Sequence, residues 1–212
     1  LGHAVVMKLW LALICTAAVL AAGCTQRVDG AALPVSSETP GGVIKVDGVL
    51  LGPAQMRAVT DSLALTVSPG MNGKAPIDDH EPARAVPPVC QFAFADSATF
   101  GPDTEDFRKT SYRIDADSER ISEAAAAYDD ATAARRAFAR LRNDVIGCAD
   151  TFYGRFLVGD WTADSASVRM RLASCGRDYR LKSSVVVEVT FCDFPDTITE
   201  AVLSNILSRI LA

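Results

Sequence analysis

The stretch "CGRDYRLKSSVVVEVTFC", Cys175 to Cys192, decides the fold of this chain. With Ser183-Ser184 as a two-residue hairpin turn, Lys182 stands opposite Val185, and the pairing runs back until Cys175 meets Cys192. Facing residues at a non-hydrogen-bonded antiparallel site lie about 4.5 Å apart at Cα, within the span of a disulfide. Strand side chains alternate, so Arg177, Tyr179 and Leu181 share the cysteine face with Val186, Glu188 and Thr190. Val185, Val187, Val189 and Phe191 take the opposite face, which reads as core.

Arg177 and Glu188 become diagonal neighbours in this register, close enough for long side chains to pair. With Tyr179 they suit a polar cleft floor that positions a ligand. The plainer reading is an exposed or edge ion pair that shapes the sheet at ~0–1 kcal/mol.

Working outward, "DTITEAVLSNILSRILA" carries Asp196 or Thr197 as N-cap and Ile198, Val202, Ile206, Leu207 and Ile210 on one face. It predicts a closing amphipathic helix over the sheet. Upstream, Asp129 or Asp130 caps "ATAARRAFARLRNDVIGC", whose apolar stripe of Ala134, Phe138, Leu141, Val145 and Cys148 recurs at helical spacing. "KTSYRIDAD" and "RISEAAAAYD" read as strands, the second against the helix propensity of its alanines. "VCQFAFAD" alternates Cys90, Phe92 and Phe94 with small or polar residues, which predicts a strand. Ser68 to Pro88, rich in proline and turn formers and including "DDHE" at Asp78–Glu81, predicts a long surface loop. "LLGPAQMRAVTDSLAL" predicts a helix opening at Pro53 with Met56, Val59 and Leu63 on one face.

The N-terminus gives an address. "MKLWLALICTAAVLAAGC", Met7 to Cys24, has one lysine, an apolar run of twelve residues from Leu9 to Leu20, and small residues before a cysteine. That run is too short for the ~20 residues of a membrane-spanning helix and suits a secretory signal, with Met7 as the better-formed start. "LAAGC", Leu20 to Cys24, resembles the lipobox of bacterial lipoproteins, which implies cleavage before Cys24, lipidation of its thiol, and a palmitate-type acyl anchor. Residues 25 to 42 have the composition of a flexible tether. The expected organisation is a signal over 1–23, a lipidated N-terminus and tether over 24–42, and one domain over 43–212.

Formal charge is −5, and removing Lys8 with the signal makes it −6. That argues against nucleic acid and against attraction to anionic headgroups by net charge, leaving the lipid as the membrane link. Besides Cys15 in the signal and Cys24, the cysteines are Cys90, Cys148, Cys175 and Cys192, an even set typical of an oxidising compartment. Four cysteines allow three connectivities. The hairpin register selects Cys175–Cys192 and leaves Cys90–Cys148. Zinc is disfavoured, since no pair has C-x-x-C spacing and His80, the nearby imidazole, lies in the proline-rich stretch.

Catalytic signals are weak. His80 is the sole histidine after Cys24, no G-x-S-x-G occurs, and no spacing singles out a carboxylate pair. The expectation is no enzymatic activity, no cofactor and no catalytic or metal residue. Tyr112, Tyr128, Tyr153 and Trp161 fall near strand ends, where they could line a sugar- or lipid-binding groove; "FYGRFLVGDW" is the richest cluster. "DDHE" reads as a solvated acidic loop.

The opening "LL-G--QM" helix, the cysteine after a proline-rich loop and the alanine-rich helix ending in cysteine form a recurring set. With "C-R" before the hairpin, "VVVEV-FC" and the terminal amphipathic helix, they resemble the PknH-like extracellular sensor domain. That family occurs as the outer half of mycobacterial receptor serine/threonine kinases and as stand-alone lipoproteins. The resemblance implies an α/β domain of α+β type, a twisted antiparallel sheet with helices packed on it, two disulfides and a ligand cleft. It implies a non-catalytic sensor-type lipoprotein on the extracytoplasmic face of the cell membrane, binding a small molecule, lipid or glycan. An envelope protein partner is compatible with it. Arg177, Tyr179, Glu188, Tyr153 and Trp161 are the candidate ligand contacts. The runner-up is a cell-wall structural or envelope-assembly protein, and an envelope hydrolase is third.

Overall fold

A computed structural model describes residues 44–114 and 119–211. The signal, Cys24, the tether and the carboxyl-terminal residue lie outside them. Seven strands form one sheet in the order β1-β2-β3-β7-β6-β5-β4, every pair antiparallel. They are β1 (Thr66–Gly73), β2 (Asp106–Arg113), β3 (Arg120–Ala127), β4 (Asp160–Ala163), β5 (Ser167–Leu172), β6 (Cys175–Lys182) and β7 (Val185–Cys192). After β3 the chain crosses to the far edge and returns strand by strand until β7 closes against β3. The long-range β3–β7 pairing therefore completes the sheet.

The hairpin register is the one the cysteines predict. Lys182 faces Val185, Cys175 faces Cys192, and Ser183 takes the left-handed φ of 53° that a tight two-residue turn needs. Cys175–Cys192 and Cys90–Cys148 are both bridged, with Cα separations of 3.9 and 5.0 Å.

Both faces of the sheet are core, not the valine face alone. Val185, Val187, Val189, Phe191, Tyr112 and Ile121 pack under the N-terminal segment Val46–Leu51, helix α1 (Pro53–Thr60) and helix α6 (Asp196–Ser208). Ala124, Ala126, Val186, Tyr179, Val168 and Met170 pack under a 3-10 helix (Pro88–Ala93) and α4 (Ala131–Ala149), whose buried stripe is the expected one. The alanines of β3 are strand because layers press on both their faces, and only small side chains admit helices so close. Burial overrides helix propensity there.

Asp130 caps α4, its carboxylate accepting from the Thr132 and Ala133 amides, and this holds its pKa below the ordinary value. Pro195 stands at the N-cap of α6, one residue earlier than expected. Three further expectations are corrected. Cys90, Phe92 and Phe94 are not a strand: Pro87-Pro88 starts a 3-10 helix whose turns bury Cys90 and Phe92, followed by the short helix α3 (Asp96–Phe100). Ser68 to Pro88 is not all loop, since Ser68–Gly73 belongs to β1 and His80–Arg84 forms the short helix α2. Pro69 is tolerated because β1 is an edge strand with a register shift between Val67 and Asn72. Leu63 is off α1 and 94 % exposed, because the helix ends at Asp61 in the left-handed conformation with Ser62 N donating to Arg57 O. No described helix is long and apolar enough to cross a membrane.

Candidate functional site

Cross-strand register sorts the cysteine face into rows. Trp161, Met170, Arg177, Thr190, Ser122 and Ser111 form one; Ala163, Val168, Tyr179, Glu188, Ala124 and Lys109 form the next, deeper one. Three of the sequence candidates, Arg177, Tyr179 and Glu188, thus come together at the centre of the sheet. They are not the exposed or edge pair of the plainer reading: β6 and β7 are interior strands, and the Arg177 and Glu188 side chains are 23 % and 5 % exposed.

Arg177 Nε lies 3.4 Å from Glu188 Oε1. Its Nη1 donates to Phe92 O at 2.9 Å and to Tyr179 Oη at 3.4 Å, and Nη2 donates to Ala93 O at 3.1 Å. One guanidinium therefore ties the sheet to the last carbonyls of the 3-10 helix, which Cys90–Cys148 fastens to α4. Alongside, Lys109 Nζ donates to Asp96 Oδ1 at 2.6 Å, and Asp96 Oδ2 accepts from Ile77 N. Two cations and two carboxylates are enclosed where apolar residues would pack.

Burial raises the pKa of Glu188, with Arg177 and Lys109 opposing the rise. Burial likewise raises that of Tyr179, and it works against the Arg177 charge, which Tyr179 and Glu188 nonetheless hold in place. Among the described residues Glu188 Oε2 meets no hydrogen-bond partner, although the nearby Tyr179 hydroxyl also opposes the rise in the carboxyl's pKa. A buried carboxylate oxygen left open costs about 1–3 kcal/mol or more, and such groups call for an explanation. A shallow groove of about 450 Å³ is lined by Lys74, Pro76, Ser97, Thr104, Glu105 and Asp106, and none of the four charged residues of the cluster lines it.

Trp161 shares a row with Arg177 across Met170 and is 38 % exposed on the edge strand β4. Tyr153 stands apart in the segment after α4, its hydroxyl donating to Ala85 O at 3.2 Å. Tyr112 and Tyr128 are not groove-lining: both are fully buried, donating to Leu51 O and Phe100 O at 2.7 Å. Asp78 of "DDHE" is half-buried and organised, accepting from the Ser97 amide and hydroxyl. Among the described residues no cluster could hold a metal ion.

This chain matches the family model described as the PknH-like extracellular domain over residues 43–212. The chain belongs to the PknH-like extracellular domain family. A crystal structure of the extracellular domain of PknH from Mycobacterium tuberculosis is similar at 15 % sequence identity, with a TM-score of 0.58. That similarity covers 80 % of this chain and 97 % of the other. At that identity it shows the fold of the PknH-like domain and nothing finer. No curated protein matches the sequence.

Two acidic groups of this PknH-like domain escaped sequence reading. Glu123 of β3 is wholly buried on the valine face, its Oε2 accepting from Leu51 N at 3.0 Å. Burial pushes its carboxyl up to about 8, against the Leu51 amide and the Arg209 charge. Asp178, also wholly buried, accepts two hydrogen bonds from Arg171, which also meets Asp196 of α6. Each sits in a strand whose alternation places it inward, a signal readable only once both faces are known to be covered. Lys109 could have been found by its period-two place between Phe107 and Ser111; Asp96 carried no such signal.

Proposed function

We propose that this chain is a lipid-anchored, extracytoplasmic, non-catalytic binding module of sensor type. The observation that carries the reading is the Arg177–Glu188–Lys109–Asp96 cluster, enclosed beneath a disulfide-fastened 3-10 helix with one carboxylate oxygen unpartnered among the described residues. A module selected for stability alone would fill this volume with apolar side chains, which matches or exceeds a buried ion pair in stability. A few converging polar groups are what orients a ligand in a binding site. Glu188 Oε2 favours a ligand that brings a donor, as the hydroxyls of envelope glycans and glycolipids do.

Thermal denaturation of residues 24–212 across a panel of envelope lipids and glycans tests the reading. A ligand bound only by the native state raises the midpoint. Silence across a broad panel would count against a binding function. The anchor is tested separately. Cys24→Ala should release the protein from membranes or leave an unprocessed precursor, and unchanged mature mass with unchanged membrane association would refute lipidation at Cys24.

A further inference from the structure

After α4 the chain folds back over its own helix end. Thr151 Oγ1 donates to Cys148 O at 2.7 Å and accepts from Tyr153 N at 3.2 Å, while Gly154 N donates to Thr151 O at 3.1 Å. A Cβ on Gly154 would lie 2.3 Å from Ala149 O, so the close approach requires glycine. With Cys90–Cys148 beneath it and Tyr153 bonded to Ala85, this segment is held firmly, and it runs into the short helix α5 (Gly154–Leu157).

What it presents outward is aromatic. Phe152 and Phe156 are 68 % and 56 % exposed, their rings 5.6 Å apart edge to face. The Arg155 guanidinium lies 4.5 Å from each ring centroid. Two rings held rigidly in water around a cation gain little inside the domain; preordered exposed aromatics are what binding surfaces use.

We propose that Phe152, Arg155 and Phe156 form a bilayer-contact element, the rings entering the acyl boundary and the guanidinium meeting lipid phosphate. The proposal rests on the anchored reading above. Chain length favours the bilayer over other occupants. Residues 24–43 precede the described fold and extend to at most about 70 Å, whereas a domain of this size is about 40 Å across. Any face of the domain can therefore reach the membrane that holds Cys24, and the anchor keeps the local concentration high. The chemistry also fits: apolar rings with a long basic side chain that carries its charge to the interface recur in interfacial segments. Contact here needs local chemistry only, so it is compatible with the negative net charge.

The test uses residues 24–212, coupled through the Cys24 thiol to maleimide lipid in phosphatidylcholine–phosphatidylglycerol vesicles. Trp161 is the one tryptophan after Cys24, so F156W in a W161F background places a single reporter in the element. Expected are blue-shifted emission and loss of most of it to lipids brominated along the acyl chain, both abolished by adding F152S and R155E. Emission that stays red-shifted and indifferent to brominated lipid overturns the proposal, whether the rings then face water or a protein partner. Because the coupling is chemical, this result is independent of whether cells lipidate Cys24, which the mass of the mature protein reports.

Discussion

Arg177→Met should lower the unfolding free energy of the domain by about 3–5 kcal/mol, the range for removing one partner of a buried ion pair. The substitution keeps the apolar stem and removes the charge. Glu188, 5 % exposed on an interior strand, then loses its nearest cation, and Phe92 O and Ala93 O lose their donors. The loss should fall mostly on the attachment of the 3-10 helix to the sheet, because Arg177 is the side chain that spans that interface. Adding Glu188→Leu should restore most of the stability, since the buried charge is then gone and Lys109 keeps Asp96. Denaturant titrations of wild type, single and double variants measure this. A single-variant loss under about 1 kcal/mol would mean that Arg177 and Glu188 behave as a solvated surface pair.

Glu123→Gln should act in the opposite direction and depend on pH. The Tyr112 hydroxyl donates to Leu51 O at 2.7 Å and only distantly, at 3.5 Å, to Glu123 Oε1, too weak a contact to offset the burial of a charged carboxylate. Glutamine reproduces the pattern without a charge to desolvate. The folded pKa of about 8 lies above the ordinary 4.5, so the native state retains a proton that the unfolded state releases. That contribution is fully present below pH 4.5 and is lost as pH rises toward 8. At about 1.4 kcal/mol per pK unit the full loss is on the order of 3–5 kcal/mol.

Arg209, Arg108 and Tyr112 surround the carboxyl and are unchanged in the variant. Glu188 shifts in the same direction in both proteins and cancels in the comparison. The expected outcome is near-equal stability at pH 5 and a variant more stable by roughly 3 kcal/mol at pH 7.5. Parallel pH profiles for the two proteins would show that Glu123 is already ionised in the native state.

The hairpin was legible because two cysteines and a two-residue turn over-determine its register. Once Cys175 faces Cys192, the neighbourhood of Arg177, Tyr179 and Glu188 follows by alternation alone. The helix α4 was legible for a similar reason: a cap, a stripe and a cysteine agree. What was not legible depends on layers. A period-two pattern over Cys90–Phe94 and a 3-10 helix both bury Cys90 and Phe92, and no local feature separates them. The burial of Glu188 required knowing that α4 and the 3-10 helix cover the cysteine face, which an alternating strand does not state. Asp96 enters the cluster from a short helix whose place is set by the fold, out of reach of sequence spacing.

The binding role of the cluster is tested most directly by comparing ligand-induced melting shifts in wild type and in the Arg177→Met/Glu188→Leu double variant, which should remain folded. Expected is a compound in the envelope lipid and glycan panel that raises the wild-type midpoint and leaves the double variant unmoved. An equal shift in both proteins would place the ligand elsewhere and contradict a site at Arg177 and Glu188.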